Sequence, residues 1–293
     1  MRQLLRDIWR WRLAYVFVAP AVLVVLVMRF YPTLEAVRLS LYDMHLGRPT
    51  RFVGLQNYLD LFSDQRLINN LRVTAVYAVA VVGLSFAVGF MLALLLWRVG
   101  RGLSFFRTVF FVPYVIALVV VALMWRWLLD PVQGLLNYLL TSVGVAGIPF
   151  LARPASALGA LIAVAVWNMY PFPMVLLLAG LTAIPQDLYA AARVDGVGAW
   201  QQFTDITLPL LRPTMFITAT MLTLQALYAI ELPFALTGGG PAGATEVLGV
   251  RLYIEAFQFF NRGYASTIGI LVLAINVALV VLYGRVFRSK AYY

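Results

Sequence analysis

Apolar residues in this chain come in six long blocks, separated by shorter polar stretches, and not in the strict alternation of a half-buried strand. The blocks predict six membrane-crossing helices, over about residues 13–30, 73–97, 108–125, 155–184, 213–235 and 264–284. Residues 73–97 run for 25 positions without a charge and residues 155–184 for 30. At about 1.5 Å of rise per residue, both are long enough to cross a hydrocarbon core with some tilt. The fourth block carries Trp167-Asn168-Met169-Tyr170-Pro171-Phe172-Pro173. Two prolines inside a span remove backbone donors and predict a kink there. Such interruptions are tolerated where protein or a cavity receives the freed backbone groups. Pro113 falls near the start of the third block.

The polar stretches carry the rest of the organisation. Residues 1–12 place Arg2, Arg6, Arg10 and Arg12 around Trp9 and Trp11. The apolar run that follows ends in Arg29-Phe30-Tyr31-Pro32 and not in a small-residue cleavage site, so a retained first helix is expected and not a removed signal peptide. Residues 31–72 mix both signs of charge, and residues 131–154 form a second mixed loop. Residues 188–213 lie between two apolar blocks and carry Arg193, Asp195, Asp205 and Arg212. An Ala-rich helical turn there meets Asp195-Gly196, where glycine takes a positive-φ helix stop at low cost. A second helical stretch over 199–206 then runs to Pro209, giving helix, glycine turn, helix. Leu236-Thr237-Gly238-Gly239-Gly240-Pro241 reads as a flexible turn by composition.

Composition places the chain in the membrane. It is 63% hydrophobic and 12% charged, with a mean hydropathy of +0.89, where soluble domains are nearer about 25% charged. The expected fold is an all-α membrane protein with one six-helix domain over 13–288, a basic N-terminus at 1–12 and a tail at 289–293. Cysteine is absent, His45 is the one histidine and Lys290 the one lysine. These counts exclude disulfides, thiolate or histidine-pair metal sites and a GxxxxGK[ST] phosphate loop, so an ATP-driven process needs its motor on another polypeptide. A net charge of +10 raises nucleic acid as a partner, but the arginines sit at the ends of the apolar blocks. With both termini on one side, the segments on the side of Met1 hold twelve of the 22 basic residues in short stretches, and the longer outer loops hold ten. By density this puts both termini, and the loop at 188–213, in the cytoplasm.

Polar groups in hydrocarbon cost free energy unless they are paired or face water. Asn168 and Tyr170 on the fourth span, with Phe172 beside them, are candidates for a solute path, as are Gln225, Tyr228 and Glu231 on the fifth; Asn276 lies on the sixth. Gln225, Tyr228 and Glu231 recur every third residue and so drift slowly round one helix face. A polar and aromatic face suits a sugar, whose hydroxyls take hydrogen bonds while its C–H faces lie on rings. The same amides also serve as interhelical hydrogen bonds, each worth on the order of 1 kcal/mol. Glu231 can equally sit at headgroup level near Arg251 or Arg262. Trp97 and Trp125, at span ends, read as interfacial anchors.

One set of residues carries a family resemblance. Ala190-Ala191-Ala192, then Asp195-Gly196, Ile206 and Leu208-Pro209, resemble the EAA loop of binding-protein-dependent ABC importer permeases. Ile184-Pro185, Trp200-Gln201-Gln202-Phe203 and Thr207-Leu208-Pro209-Leu210-Leu211 resemble the sugar-importing branch. So do Phe52-Val53-Gly54-Leu55-Gln56-Asn57-Tyr58, while the Gly-Gly-Pro phrase is similar to that of the maltose-type inner-membrane subunit. Ala190 departs from the pattern, since the family has Glu there. The resemblance implies a type I permease fold whose coupling loop (Ala190, Ala191, Ala192, Arg193, Asp195, Gly196, Leu208 and Pro209) docks on an ATPase subunit. It implies no cofactor in this chain, and ATP with Mg on the partner ATPase dimer. Further implied partners are a second six-helix permease, giving a heterodimer, an extracytoplasmic solute-binding protein and membrane lipid, without nucleic acid. The implied function is ATP-driven import of a sugar, polyol or oligosaccharide across a bacterial or archaeal inner membrane by alternating access. Glycerol phosphate stays open as a substrate, although Arg126 is the one basic group near a cavity. An ATP-independent carrier or channel is the alternative and would call for carboxylates or histidines near the span centres, of which Glu231 is the borderline case. A membrane-embedded enzyme has little here to build chemistry from.

Overall fold

The computed structural model describes residues 11–46, 50–99 and 102–286. The expected tail at 289–293 and all but the last two residues of the N-terminal segment 1–12 lie outside the described residues.

The chain forms two compact units. The first takes residues up to Leu61 together with Glu255–Ile270. It opens with α1 (Arg12–Val25), which passes through a π turn at Leu26–Phe30 into α2 (Tyr31–Leu39). The helix therefore continues past Arg29 and Pro32, beyond the expected end near residue 30. The ladder slips by one residue ahead of the proline, where the Tyr31 N–H reaches Leu26 O five residues back. A two-residue antiparallel pair follows, β1 (Tyr42–Asp43) with β2 (Arg51–Phe52), and then α3 (Gln56–Ser63). Asn57 holds these pieces together by donating to Ser40 O at 2.8 Å and Tyr42 O at 3.0 Å.

The second unit takes Phe62–Ile254 and the residues from Leu271 on. Its first helix, α4 (Gln65–Trp97), starts eight residues before the uncharged run. Asp64 sets that start: its carboxylate accepts from Arg66 N at 2.9 Å and Leu67 N at 3.2 Å, satisfying two orphan donors of the first turn. Next come α5 (Leu103–Val115), α6 (Leu118–Leu128), α7 (Leu135–Ser142), α8 (Pro154–Met169) and α9 (Pro171–Thr182). They are followed by α10 (Gln186–Val194), α11 (Ala199–Gln202), a π turn at Phe203–Thr207 and α12 (Leu208–Leu227). Then α13 (Glu231–Thr237) and α14 (Leu248–Tyr253) precede a π turn at Ile254–Gln258 and the last helix, α15 (Arg262–Val286), which runs through both units.

Among the described residues, four helices are long and apolar enough to cross a membrane, and two bent pairs bring the number to six when each pair is one span. The third expected span is one of these pairs: α5 and α6 meet at 89°. The fourth behaves in the opposite way. Pro154–Thr182 is one span of 29 residues despite Pro171 and Pro173. Tyr170 keeps a helical backbone, with its N–H on Val166 O and its carbonyl accepting from Met174 N, so the ladder bridges the prolines.

Between α4, α9 and α12 lies a core of Ala93, Leu96, Met174, Leu177, Leu178, Leu181 and Leu211. Lipid is as apolar as leucine, so close packing must hold such helices together. Gly89 shows how close: a Cβ there would lie 2.6 Å from Pro173 Cγ and 2.8 Å from Met174 N.

Candidate functional site

The α5–α6 bend begins with a proline. Pro113 sits inside α5, and Ile116 and Ala117 leave the helix for extended backbone, at φ −72°, ψ 131° and φ −57°, ψ 134°. In a continuous helix the Pro113 carbonyl would accept from the Ala117 N–H four residues on. Here it accepts from Asn168 Nδ2 instead, at 2.6 Å, and both residues are buried. A buried carbonyl without a donor would cost about 1–3 kcal/mol. Asn168 thus secures the broken helix from the neighbouring one.

A second break falls at Tyr228–Ile230, between α12 and α13, which are inclined by 43°. The two breaks border a cavity of about 670 Å³. Asn168, Gln225, Tyr228 and Glu231 all line it, together with Tyr77 and Tyr114. Glu231 is exposed and, among the described residues, is the one charged side chain in this wall. Of the other candidates, neither Phe172 nor Tyr170 lines the cavity; Phe172 is stacked on the Tyr114 ring at 5.8 Å between centroids. Asn276 is buried away from it and donates to Val272 O in its own helix at 3.0 Å. Arg126 does not reach the wall either. Arg251 does not pair with Glu231: its guanidinium lies 3.3 Å from Asp64 and 3.9 Å from Glu246. Tyr77 and Tyr114 were missed from the sequence, where each is one tyrosine among many on an apolar run; the Pro113-Tyr114 neighbourhood was the available signal.

The second feature is the loop between α9 and α12. Asp187 in the first turn of α10 and Arg193 in its last suit the helix dipole. The helix then ends in a Schellman turn. Val197 N donates to Ala192 O at 2.9 Å and Gly196 N to Arg193 O at 3.1 Å, with Gly196 at φ +76°. A short α11 and the π turn lead back to α12. The hydroxyls of Tyr189 and Thr207 join the two arms at 2.9 Å, and Gln202 Nε2 donates to Val197 O at 2.8 Å. Trp97 stands 5.5 Å from the Tyr189 ring, and Phe90 6.3 Å from Phe203, so the loop rests on α4. Trp97, expected as a span-end anchor, is therefore a packing partner of the loop, and Trp125 packs edge-on against Trp167 at 5.5 Å.

Outward from the loop point Ala190, Ala191, Arg193, Val194, Asp195, Gly196 and Trp200, while Ala192 is buried and Leu208 and Pro209 are half-buried. Ala190 lies on the exposed side, so its small side chain leaves no hole in the core. The Gly-Gly-Gly-Pro turn after α13 is more constrained than its composition implies. Thr245 Oγ1 contacts Thr237 Oγ1 at 2.6 Å and donates to Gly240 O at 2.7 Å.

This architecture is shared with known transport proteins. It is similar to a bacterial ABC transporter involved in the import of the acidic polysaccharide alginate, with a TM-score of 0.84, 23% identity and 99% of each chain covered. In sequence the chain is 34% identical to the trehalose/maltose transport system permease protein MalF of Thermococcus litoralis, over 95% of each. It is 37% identical to the probable ABC transporter permease protein YurN of Bacillus subtilis, over 94% of this chain and 96% of the relative. It is 32% identical to the sn-glycerol-3-phosphate transport system permease protein UgpA of Agrobacterium fabrum, over 96% of each. None of these four is named as an ATP-independent carrier or channel. The binding-protein-dependent transport system inner membrane component family matches residues 62–292, and with relatives this similar over nearly the whole chain, the protein belongs to that family.

Proposed function

We propose that this permease imports a neutral sugar, polyol or oligosaccharide, and that the cavity bordered by the two helix breaks is its path. The observation that carries this reading is the convergence of Gln225, Tyr228, Asn168 and Glu231 with Tyr77 and Tyr114 on one wall. Amide, hydroxyl and carboxylate groups exchange hydrogen bonds with sugar hydroxyls, and the tyrosine rings offer faces to the apolar side of a pyranose. Charge narrows the class. The relatives are named for trehalose and maltose and for glycerol 3-phosphate. A phosphate needs cationic partners, and the one charged group on this wall among the described residues is a carboxylate.

Transport in this reading is driven from outside the chain. ATP and Mg bind a partner ATPase dimer, whose closure moves the loop carrying Ala190, Ala191, Ala192, Arg193, Asp195, Gly196, Leu208 and Pro209. A second six-helix permease completes the path, and an extracytoplasmic binding protein delivers the solute. Both termini and the loop face the cytoplasm of a cell with an inner membrane. The packing of Trp97 and Tyr189 supports the loop's role, because a lever transmits motion only if its base is rigid.

The test is purification of the tagged chain from membranes, identification of what accompanies it, and a screen of neutral sugars for stimulation of ATP hydrolysis. An ATPase and a second permease in stoichiometric amounts are expected, with Gln225→Ala raising the half-maximal sugar concentration. A chain that purifies alone and conducts solute without ATP would overturn the reading.

A further inference from the structure

The second unit holds a cluster of four charged side chains that the solute path does not use; two are buried, Asp64 is half-buried and Arg66 is exposed. Glu246 is 3% exposed and Arg251 7%. Arg66 reaches Glu246 with Nε at 3.2 Å and with the second guanidinium nitrogen at 2.9 Å, a two-point contact. Arg251 lies between Glu246, at 3.9 Å, and Asp64, at 3.3 Å. Asp64 is also the cap of α4.

Backbone contacts extend the cluster in two directions. On one side, Asn70 Nδ2 donates to Glu246 O at 2.7 Å and Leu248 N donates to Thr74 Oγ1 at 2.8 Å. Asn70, Thr74 and Tyr77 follow at helical spacing on the buried face of α4, and Tyr77 lines the cavity. On the other side, α14 presses on the break between α12 and α13. At Gly249, a Cβ would lie 2.5 Å from Ala229 O and 2.9 Å from Ile230 Cγ1. Tyr228, Ala229, Ile230 and Glu231 form that part of the cavity wall.

We propose that the Asp64–Arg66–Glu246–Arg251 cluster is a positioning unit that fixes the Tyr228–Glu231 wall against α4. A broken helix has no ladder of its own to set the angle at the break, so something outside must set it. Apolar packing would supply adhesion, but it is non-directional. The paired guanidinium and carboxylate groups supply direction, and with α4 also carrying Tyr77, they hold both sides of the cavity in one register. The cluster makes no contact with solute in this proposal. It acts through Gly249.

The proposal rests on the proposed solute path only for its consequence, so its test reads the wall itself. The chain has no cysteine, which makes Tyr228→Cys a single-thiol reporter in the wall and Val132→Cys, at an 87% exposed position, a control. The full chain is assembled with its partners in membrane vesicles, and modification of this chain by a charged, membrane-impermeant thiol reagent is followed by mass. Glu246→Gln is expected to change the rate at the wall by about tenfold, the scale of a modest shift in a local opening equilibrium, and to leave the control unchanged. Arg251→Lys keeps the charge but not the two-armed reach, and is expected to give a smaller change in the same direction. Loss of one buried partner can prevent folding; the paired variant Glu246→Gln with Arg251→Met leaves neither of those two as a lone charge and decides the matter if the single variant is not recovered. Wall rates within about twofold of the parent in whichever of these variants assemble, with an unchanged control, would overturn the proposal. An absent sugar response would count against the solute reading and leave this result standing.

Discussion

The hydroxyls of Tyr189 and Thr207 lie 2.9 Å apart in a buried contact that joins the two arms of the α10–α11 loop. Thr207 also lies within 3.4 Å of Gln202 O, so the π turn is tied into the same contact. The loop is therefore a closed unit and not a strap between two spans. Tyr189→Phe removes the hydrogen bond and leaves the ring on Trp97. We expect a loss of about 1 kcal/mol, the net worth of a typical hydrogen bond, seen as a lowered midpoint of thermal unfolding in detergent. Thr207→Val should cost a similar amount, and the double variant should cost less than the sum, since the two changes remove one interaction.

Gly196 needs its φ of +76° and not its space, because a Cβ there would meet nothing within 4 Å. Gly196→Val should cost about 1–2 kcal/mol locally, through backbone strain alone. In the assembled complex, ATP hydrolysis should persist while uptake driven by it falls. Gly196→Asn, which tolerates the left-handed region, should retain most uptake. Equal loss in both variants would contradict the backbone explanation.

Asn168 is predicted to matter first for the bend and only then for solute. Asn168→Leu removes the donor from the buried Pro113 carbonyl and should destabilise the protein by about 1–3 kcal/mol. Gln225→Ala, in the same cavity, should leave the unfolding midpoint nearly unchanged. Thermal unfolding of the two variants side by side separates a structural amide from a path-lining one.

Asp130 lies after α6, where its carboxylate accepts from Gln133 N and Val132 N at 2.8 Å each. Those backbone donors hold its pKa below the ordinary carboxylate value. A carboxyl whose folded pKa is depressed contributes stability above its unfolded pKa, near about 3.9, and loses it as pH falls through the lower folded value. The turn at 130–134 should therefore loosen only below about pH 4, and Asp130→Asn should remove that acid sensitivity. Amide hydrogen exchange at Val132 and Gln133 across this range is the measurement.

Local pattern alone determined much of this protein. Long uncharged runs have no stable place in water, so residues 73–97, 155–184 and 264–284 announced membrane helices before any fold was known. The glycine stop at Gly196 was legible for the same reason, since a positive-φ helix end is a property of a few adjacent residues. The spacing of Gln225, Tyr228 and Glu231 showed a shared face, though not what that face looks upon. Tertiary structure decided the rest. Two prolines in the fourth span gave no break, because Tyr170 carries the ladder across them, whereas Pro113 ends a helix whose freed carbonyl finds a donor on another span. Of the two arginines open to Glu231, Arg251 turns instead to Glu246 and to Asp64, the latter 187 residues away in sequence. Periodicity says which side of a helix is polar, but a hydrogen bond or ion pair between distant segments exists only once packing has brought the two segments together.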